Sequence, residues 1–540
     1  MQGNIRYIVI AIVAGVLFLP LLGHVHLFDW DEINFAECAR EMIVSKDYLR
    51  VQIDYMPFWE KPPLFIWMQV LSMKLFGINE YAARFPNAVI GVATLLTIYY
   101  AGKRIVNQKM ATWWVLLYAA TWLPHFYFKS GIIDPSFNFF IFIAFFQFHL
   151  IKYGEKKMLH AVLSGLFLGL AVLTKGPVAL LVSALSLMVY LVVNRGFKGY
   201  AIKHFLIILL FAVLVTVSWF GIEILNDGVG LVKDFIAYQI RLFRTEDADH
   251  GGPFFYHFII LLFGCFPASV FLFQYSKKRV TDTDQSKDFK KLMWIMFWVV
   301  LILFSIVKTK IVHYSSLCYF PLTYLAAVQL YRIGNDQVKL KGIVTSSLLV
   351  IGSLLAIIIS ALPLVGIYKN KLIPLIEDKN AVGNLQANVS WTWMECLWGV
   401  LYLIGIWVAV YIMKRNFKRG IITLCVLQLV IIQITVLHFT PKVEAYSQRA
   451  SIDFFESLKG KDVYVHTLGY KSYAHLFYTE KQPYSSAEYY SKDSEKWLLT
   501  GKVDKPTYFV AKLTVYNEYK AMPQLQVIGE KNGFVFFKRK

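Results

Sequence analysis

The sequence predicts an α-helical polytopic membrane protein with a small α/β domain at its C-terminal end. Of its 540 residues, 57% are hydrophobic and only 17% charged, which is more apolar surface than a soluble fold of this length can hide. Apolar runs close to the about 20 residues that cross a bilayer recur along the chain. After Thr440 this pattern stops, polar and charged residues return, and the apolar stretches shorten to strand length.

The runs, about thirteen of them at spanning length, begin near Ile5, Ala82, Met110, Ile132, Met158, Val178, Ala201, Tyr256, Leu292, Val312, Gly342, Trp393 and Gly420. The first follows Arg6, reaches Leu22 and shows no small-residue cleavage site, so it reads as an uncleaved span. Alternate connections are basic: Lys103, Arg104 and Lys109; Lys152, Lys156 and Lys157; Arg195, Lys198 and Lys203; Lys277 to Arg279 with Lys290 and Lys291; Arg332, Lys339 and Lys341; Lys414, Arg415, Lys418 and Arg419. Lys and Arg in short loops mark the cytoplasmic side. The other connections then face outside: a first loop over 28–81, Asp134, Lys175, a long loop over 226–255, Lys308 with Lys310, and everything after Thr440.

Two helices lying along the membrane surface are expected in the first outer loop. From Asp31 to Val44, Phe35, Ala36, Ala39, Met42 and Ile43 share one side, and Glu37, Arg40 and Glu41 take the other. Asp29 or Asp31 can cap this helix. Pro62-Pro63 opens the second, which runs through Trp67 to Phe76. In the last hundred residues, strands are expected over Val463 to His466, Tyr508 to Lys512, Leu525 to Ile528 and Phe534 to Phe537, with helical stretches around Ile452 to Leu458 and Tyr470 to Phe477. The division is therefore a membrane domain over 1–440 and an extracytoplasmic α/β domain over 441–540.

The formal charge of +20 is spread over connector loops rather than along one face, which argues against nucleic acid as a partner. Five scattered cysteines form neither a disulfide framework nor a metal spacing. The outer surface is different. A charged group near lipid is costly, about 2.5 to 3.5 kcal/mol at the bilayer centre, and is functional by default. Asp31, Glu32, Glu60 and Lys61 crowd one loop, and Arg241, Arg244, His250, Lys308 and Lys310 lie on the same side.

Asp31-Glu32, Ala36-Glu37, Ala39-Arg40-Glu41-Met42, Glu60-Lys61-Pro62-Pro63, Leu75-Phe76-Gly77 and Arg84-Phe85-Pro86 together resemble the first outer loop of the polyprenyl-phosphate-sugar glycosyltransferases. That superfamily contains the protein O-mannosyltransferases and the bacterial 4-amino-4-deoxy-L-arabinose lipid A transferases. Leu173-Thr174-Lys175-Gly176-Pro177, the run from His250 to Tyr256, and Lys308-Thr309-Lys310 with Tyr314 and Pro321 resemble the arabinose-transferase branch in the same order. The ordered set covers most of 1–330, and the last hundred residues carry no motif of the family.

The resemblance implies the C-type multi-spanning fold and roles for particular residues. Asp31, with Glu32, matches the essential acidic position that opens the loop; a carboxylate there can orient or deprotonate an acceptor, and helix capping is its alternative. Asp134 matches a second acid, and Asp134-Pro135 is equally a common helix start. Lys61, Arg241, Arg244, Lys308 and Lys310, with Tyr314, form the expected pocket for the donor phosphate; lipid headgroups are the alternative partners of these cations. Glu60 and His250 match positions near one divalent metal ion.

The implied function is transfer of a sugar, with inversion, from a polyprenyl (undecaprenyl) phosphate donor to lipid A or another envelope glycolipid at the periplasmic face of a bacterial inner membrane. Transfer to a protein hydroxyl or glycan is the second reading within the class. A multi-spanning transporter is the rival from another class, but the charges gather at one face and no repeated half is visible. A lipid-binding scaffold would not need Asp31, Glu60 and Lys61 together.

Overall fold

The computed structural model describes residues 2–58, 60–244, 251–274 and 282–540. Each predicted run falls on or beside a helix. Among the described residues, eight helices are long and apolar enough to cross a membrane: Glu80–Ile105, Asp134–Tyr153, Lys157–Lys175, Ile202–Asn226, Asp284–Ile306, Gly342–Ile367, Trp393–Arg415 and Phe417–Ser447. The other runs are shorter or broken. Ile5–Phe18 and Val178–Val193 are shorter apolar helices, and Tyr256–Gly264 with Ala268–Gln274 bends by 103° around Pro267. Hydropathy finds apolar runs but does not see where a run turns.

The bundle has two chemically distinct ends. Helix Asp134–Tyr153 has 20 residues, which spans about 30 Å, and carries Asp134 at one end and Lys152 at the other. Near Lys152, basic connectors meet their partners: Lys152 Nζ lies 3.2 Å from Asp288, and Asp282 accepts from Arg332 at 2.6 Å and Lys290 at 3.0 Å. Between the ends the packing is aromatic, with Phe142 stacked on Phe320 at 4.4 Å and Trp114 donating to Thr323 at 3.0 Å. The Asp134 end carries the first loop and the C-terminal domain.

In that loop, helix Asp31–Ser45 forms as predicted, but it does not lie on a surface. Glu37, Arg40 and Glu41 are at most 1% exposed. Arg40 grips Glu37 with two bonds of 2.6 and 2.7 Å, and Glu41 accepts from the amides of Asp54 and Tyr55 at 2.6 and 2.8 Å. Burial and the neighbouring Glu37 carboxylate push Glu41 well above the usual carboxylate range. Asp54 and Tyr55 turn a tight hairpin between β1 (Gln52–Ile53) and β2 (Met56–Pro57) with φ of 59° and 56°. Such a turn normally takes Asn-Gly; here the Glu41 carboxylate holds the strained backbone. The second loop helix, Leu64–Phe76, follows Pro63 as expected.

The charged face is buried because the C-terminal domain covers it. The last membrane helix continues through a wider turn at Thr435–Phe439 to Ser447, past the predicted boundary at 440. Beyond it, β3 (Tyr464–Leu468), β4 (Thr507–Lys512), β5 (Leu525–Lys531) and β6 (Phe534–Arg539) form one sheet in the order β3-β4-β6-β5. β3 and β4 are parallel, with Val465 opposite Tyr508, and the other pairs are antiparallel. All four predicted strands are present. The domain does not hang free: Ile452, Phe455, Phe477 and Phe536 share one core with Ile33, Phe35, Ala36 and Ala39 of the loop helix. Lys481 closes the seam, pairing with Asp54 beneath the Tyr489 ring, whose hydroxyl also donates to Asp54 at 3.0 Å.

Breaking a buried ion pair by removing one partner costs about 3 to 5 kcal/mol, far more than an exposed pair. Lys481→Met is therefore expected to lower the thermal midpoint of the purified protein and to speed amide exchange over 51–58. Lys459→Met, which breaks an exposed pair with Glu480, should change neither; equal effects of the two would show that the seam does not anchor the loop.

Candidate active site

Asp31 starts its helix without capping it, since the cap residue is Trp30 and no side chain makes the cap bond. The neighbouring Glu32 is the more heavily bonded of the two acids. Its Oε2 accepts from the Phe28 amide at 2.9 Å and its Oε1 from the Gly131 amide at 2.5 Å. Arg84 adds a two-pronged grip, Nε to Oε1 at 2.9 Å and Nη2 to Oε2 at 2.7 Å. The same guanidinium donates to the carbonyls of Leu22, Val25 and His26 at 2.7 to 2.8 Å. Burial alone would raise the Glu32 carboxyl, yet Arg84 and the two amides hold it below the usual range. Glu32, expected as a catalytic acid beside Asp31, is thus occupied on both oxygens and ties together the end of the first span, the loop helix and the 128–133 turn.

This clamp leaves Asp31 free to face the bundle, where it meets His313. Nε2 of His313 lies 3.5 Å from Asp31 Oδ2 and 3.8 Å from Asp134 Oδ2. Asp134 does not cap its helix either; Ile133 is the cap residue, and Pro135 takes the first turn. Lys175 Nζ sits 2.5 Å from Asp134 Oδ1, with the Ser316 hydroxyl 3.4 Å away. Asp134 Oδ2 is buried and accepts no hydrogen bond among the described residues. Two carboxylates on separate elements thus flank one imidazole, and a lysine neutralises the deeper carboxylate. Gly176, at φ 78°, turns the chain just after Lys175, and any side chain there would strike the Phe235 ring.

The expected phosphate-binding cations separate. Lys61 lies in a cleft with Val51, Phe58, Trp219, Phe220, Glu223 and Phe235, close enough to act electrostatically on Asp134 and His313. Tyr314 stands under Lys175, whose Nζ is 5.2 Å from its ring centre. Lys308 is exposed. Lys310 does not join the pocket: it is 5% exposed and its ammonium donates to the carbonyls of Phe304, Ser305 and Val307. It closes the end of helix Asp284–Ile306, where free carbonyls attract a cation. Arg241 is exposed on helix Gly230–Arg244; the Arg244 side chain and His250 lie outside the described residues. Glu60 is half-buried near Cys38 and Tyr473. Among the described residues no three His, Cys, Asp or Glu side chains gather to hold a metal ion.

Sequence reasoning missed His313 and Lys129. The signal for His313 was an ionisable residue between Lys310 and Tyr314 at the head of an apolar run. Lys129 gave none beyond its charge. Both line a cavity of about 370 Å³ together with Asp31, Arg84 and Tyr127.

Residues 60–220 match the family model described as dolichyl-phosphate-mannose-protein mannosyltransferase. The undecaprenyl phosphate-alpha-4-amino-4-deoxy-L-arabinose arabinosyl transferase of Wigglesworthia glossinidia brevipalpis is 29% identical over 365 residues, 65% of this chain and 63% of that protein. The match thus spans just under two thirds of the relative's length. The protein of the same name from Edwardsiella ictaluri (strain 93-146) is 26% identical over 434 residues, 76% of this chain and 78% of the relative. Among solved structures, ArnT from Cupriavidus metallidurans bound to undecaprenyl phosphate aligns with a TM-score of 0.77 at 18% identity, covering 100% of this chain and 98% of that one. These matches bear out the resemblance carried by the outer-loop motifs, and the C-type glycosyltransferase fold it implies is the fold observed.

The clamp geometry generates a stability prediction. Arg84→Lys keeps the charge but loses the fork that serves Glu32 and three carbonyls. Its thermal midpoint in detergent should fall by an amount equivalent to about 3 kcal/mol. An unchanged midpoint would show that a point charge suffices at this position.

Proposed function

We infer that this chain is an integral-membrane glycosyltransferase that moves a sugar from a polyprenyl-phosphate donor to an acceptor on the extracytoplasmic side, with lipid A or a similar envelope glycolipid as the acceptor. The observation that carries the reading is the convergence of Asp31, His313, Asp134 and Lys175 at one end of the bundle, with Lys61 in the adjoining cleft. The names of the relatives, which specify an undecaprenyl phosphate-linked aminoarabinose, support the donor class. Basic connectors at the opposite end support a bacterial inner-membrane protein with this site facing the periplasm.

In this reading Asp31 receives the proton of the acceptor oxygen, or orients that oxygen, as it attacks the anomeric carbon from the face opposite the leaving phosphate. The carbon–oxygen bond to the polyprenyl phosphate breaks, and its electron pair leaves with the phosphate. Lys61 meets the growing charge in a cleft walled by Trp219, Phe220 and Phe235, where a fixed cation acts more strongly than in water. Asp134 fixes Lys175 and shares the Nε2 side of His313 with Asp31. The charges gather at one end rather than midway along the bundle, which favours a transferase over a transporter.

Asp31→Asn preserves shape and removes the charge. Transfer by the purified variant should fall about 100- to 10,000-fold while its thermal midpoint holds. Lys61→Ala should cost roughly ten- to a hundredfold, and Lys61→Arg should not fully restore the rate. Near-normal turnover by Asp31→Asn would contradict the reading.

A further inference from the structure

Asp31 is reached from the first span through a short strap, His26 to Trp30, that belongs to no helix or strand. Its backbone is tied to the segment that carries the C-terminal domain. The Leu27 amide donates to the Tyr478 hydroxyl at 2.7 Å, and Gln448 donates to the Leu27 carbonyl at 2.7 Å and accepts from the Asp29 amide at 3.3 Å. On the other side Arg84 donates to the His26 carbonyl at 2.8 Å. These bonds do not change with pH near neutrality, but the His26 side chain does.

The His26 ring is four-fifths covered and sits between two acids of the C-terminal segment. Nδ1 lies 2.9 Å from Oε1 of Glu444, on helix Thr440–Ser447, and Nε2 lies 3.8 Å from Glu456, on helix Arg449–Ser457. Glu444 is fully buried, and Arg449 holds its other oxygen. A carboxylate only accepts, so the proton of neutral His26 belongs on Nδ1. The proton gained on ionisation then goes to Nε2, which faces Glu456. Tyr478 stands edge-on to the ring at 5.4 Å, and Glu80 acts on it from helix Glu80–Ile105. Burial alone would lower the imidazole, yet bonded Glu444, with Glu80 and Glu456, carries it above its ordinary value.

We propose that His26 is a positioning residue for the transfer reaction: its imidazolium bridges Glu444 and Glu456, locks the strap that leads into Asp31, and loosens that strap when Nε2 gives up its proton. The proposal rests on the transferase reading and adds a pH-dependent control of its central carboxylate. The sign follows from the raised imidazole. The added docking is complete below the ordinary histidine value of about 6.5 and is lost as pH rises through the folded value. Glu456 is half-exposed, so the effect is graded rather than all-or-none, about two- to fivefold.

The test compares the full-length protein in detergent with two variants. His26→Asn keeps a donor near the Nδ1 position and has no proton to gain; Glu456→Gln removes the carboxylate that faces Nε2. Amide exchange over 24–31, corrected for its intrinsic rise with pH, and kcat for transfer are followed from about pH 5.5 to about pH 8.5. The wild type should exceed His26→Asn in kcat about two- to fivefold at the acid end and match it at the alkaline end, with KM for the donor unchanged. Protection of the strap amides should follow the same course, and Glu456→Gln should flatten both. Asp29, which burial pushes up to about 6 despite Ser472 and Lys512, is common to all three proteins and cancels from the ratios. A ratio of wild type to His26→Asn that is the same at both ends would overturn the proposal, because a purely structural histidine lowers kcat equally at every pH. An unflattened profile in Glu456→Gln would overturn it as well, and that variant carries the test if His26→Asn does not fold. The transferase reading fails separately: wild-type protein that shows the pH-dependent protection but transfers no sugar at any pH would keep the lock and remove the reaction it serves.

Discussion

The interaction on which the rest depends is the buried pair of Glu32 and Arg84. The two side chains are 4% and 3% exposed, and each satisfies groups on segments that would otherwise be loosely related: the end of the first span, the start of the loop helix, and the Gly131 amide ahead of Asp134. A buried pair of charges gives little net stability when compared with an apolar replacement, but it is exacting about geometry. Here that exactness sets where Asp31 stands. With Glu32 bonded to the Phe28 and Gly131 amides and to Arg84, the neighbouring Asp31 carboxylate faces His313.

A second set of buried charges carries the same logic outward. Glu37, Arg40 and Glu41 occupy the far face of the loop helix, and the hairpin of Asp54 and Tyr55 is pinned to it. Lys481, from a domain more than four hundred positions away in sequence, completes the network. Trp30 lies against Tyr473 at 5.3 Å, and the Leu27 amide donates to the Tyr478 hydroxyl at 2.7 Å. The C-terminal domain is therefore part of what holds the residues on either side of Asp31 rather than an appendage.

Much of this was legible in the sequence. Run length and basic connectors located the helices, and alternation located the four strands, because both signals are local. The acidic loop stood out because charge is scarce in so apolar a chain. What was not legible depends on distant partners. Glu37, Arg40 and Glu41 looked like a wetted helix face because the domain that covers them begins after Thr440. Lys310 looked like a phosphate ligand because the carbonyls that receive it are backbone, which residue type does not reveal. His313 and Lys129 were passed over because one histidine or lysine beside an apolar run is usually unremarkable; only the fold brings them to the same cavity as Asp31. Asp31, Asp134 and Lys61, by contrast, were selected by motif; the structure brings Asp31 and Asp134 to His313 and puts Lys61 in the adjoining cleft.

In the proposed function this end of the bundle exchanges a sugar between two lipids rather than moving a solute across the membrane. Reconstituting the purified protein in liposomes with a polyprenyl-phosphate aminoarabinose donor and lipid A, and following both lipids by mass spectrometry, decides between the two. Free polyprenyl phosphate and sugar-bearing acceptor lipid should appear together in equal amounts. Donor that remains intact, or sugar that crosses the bilayer without being joined to the acceptor, would contradict it.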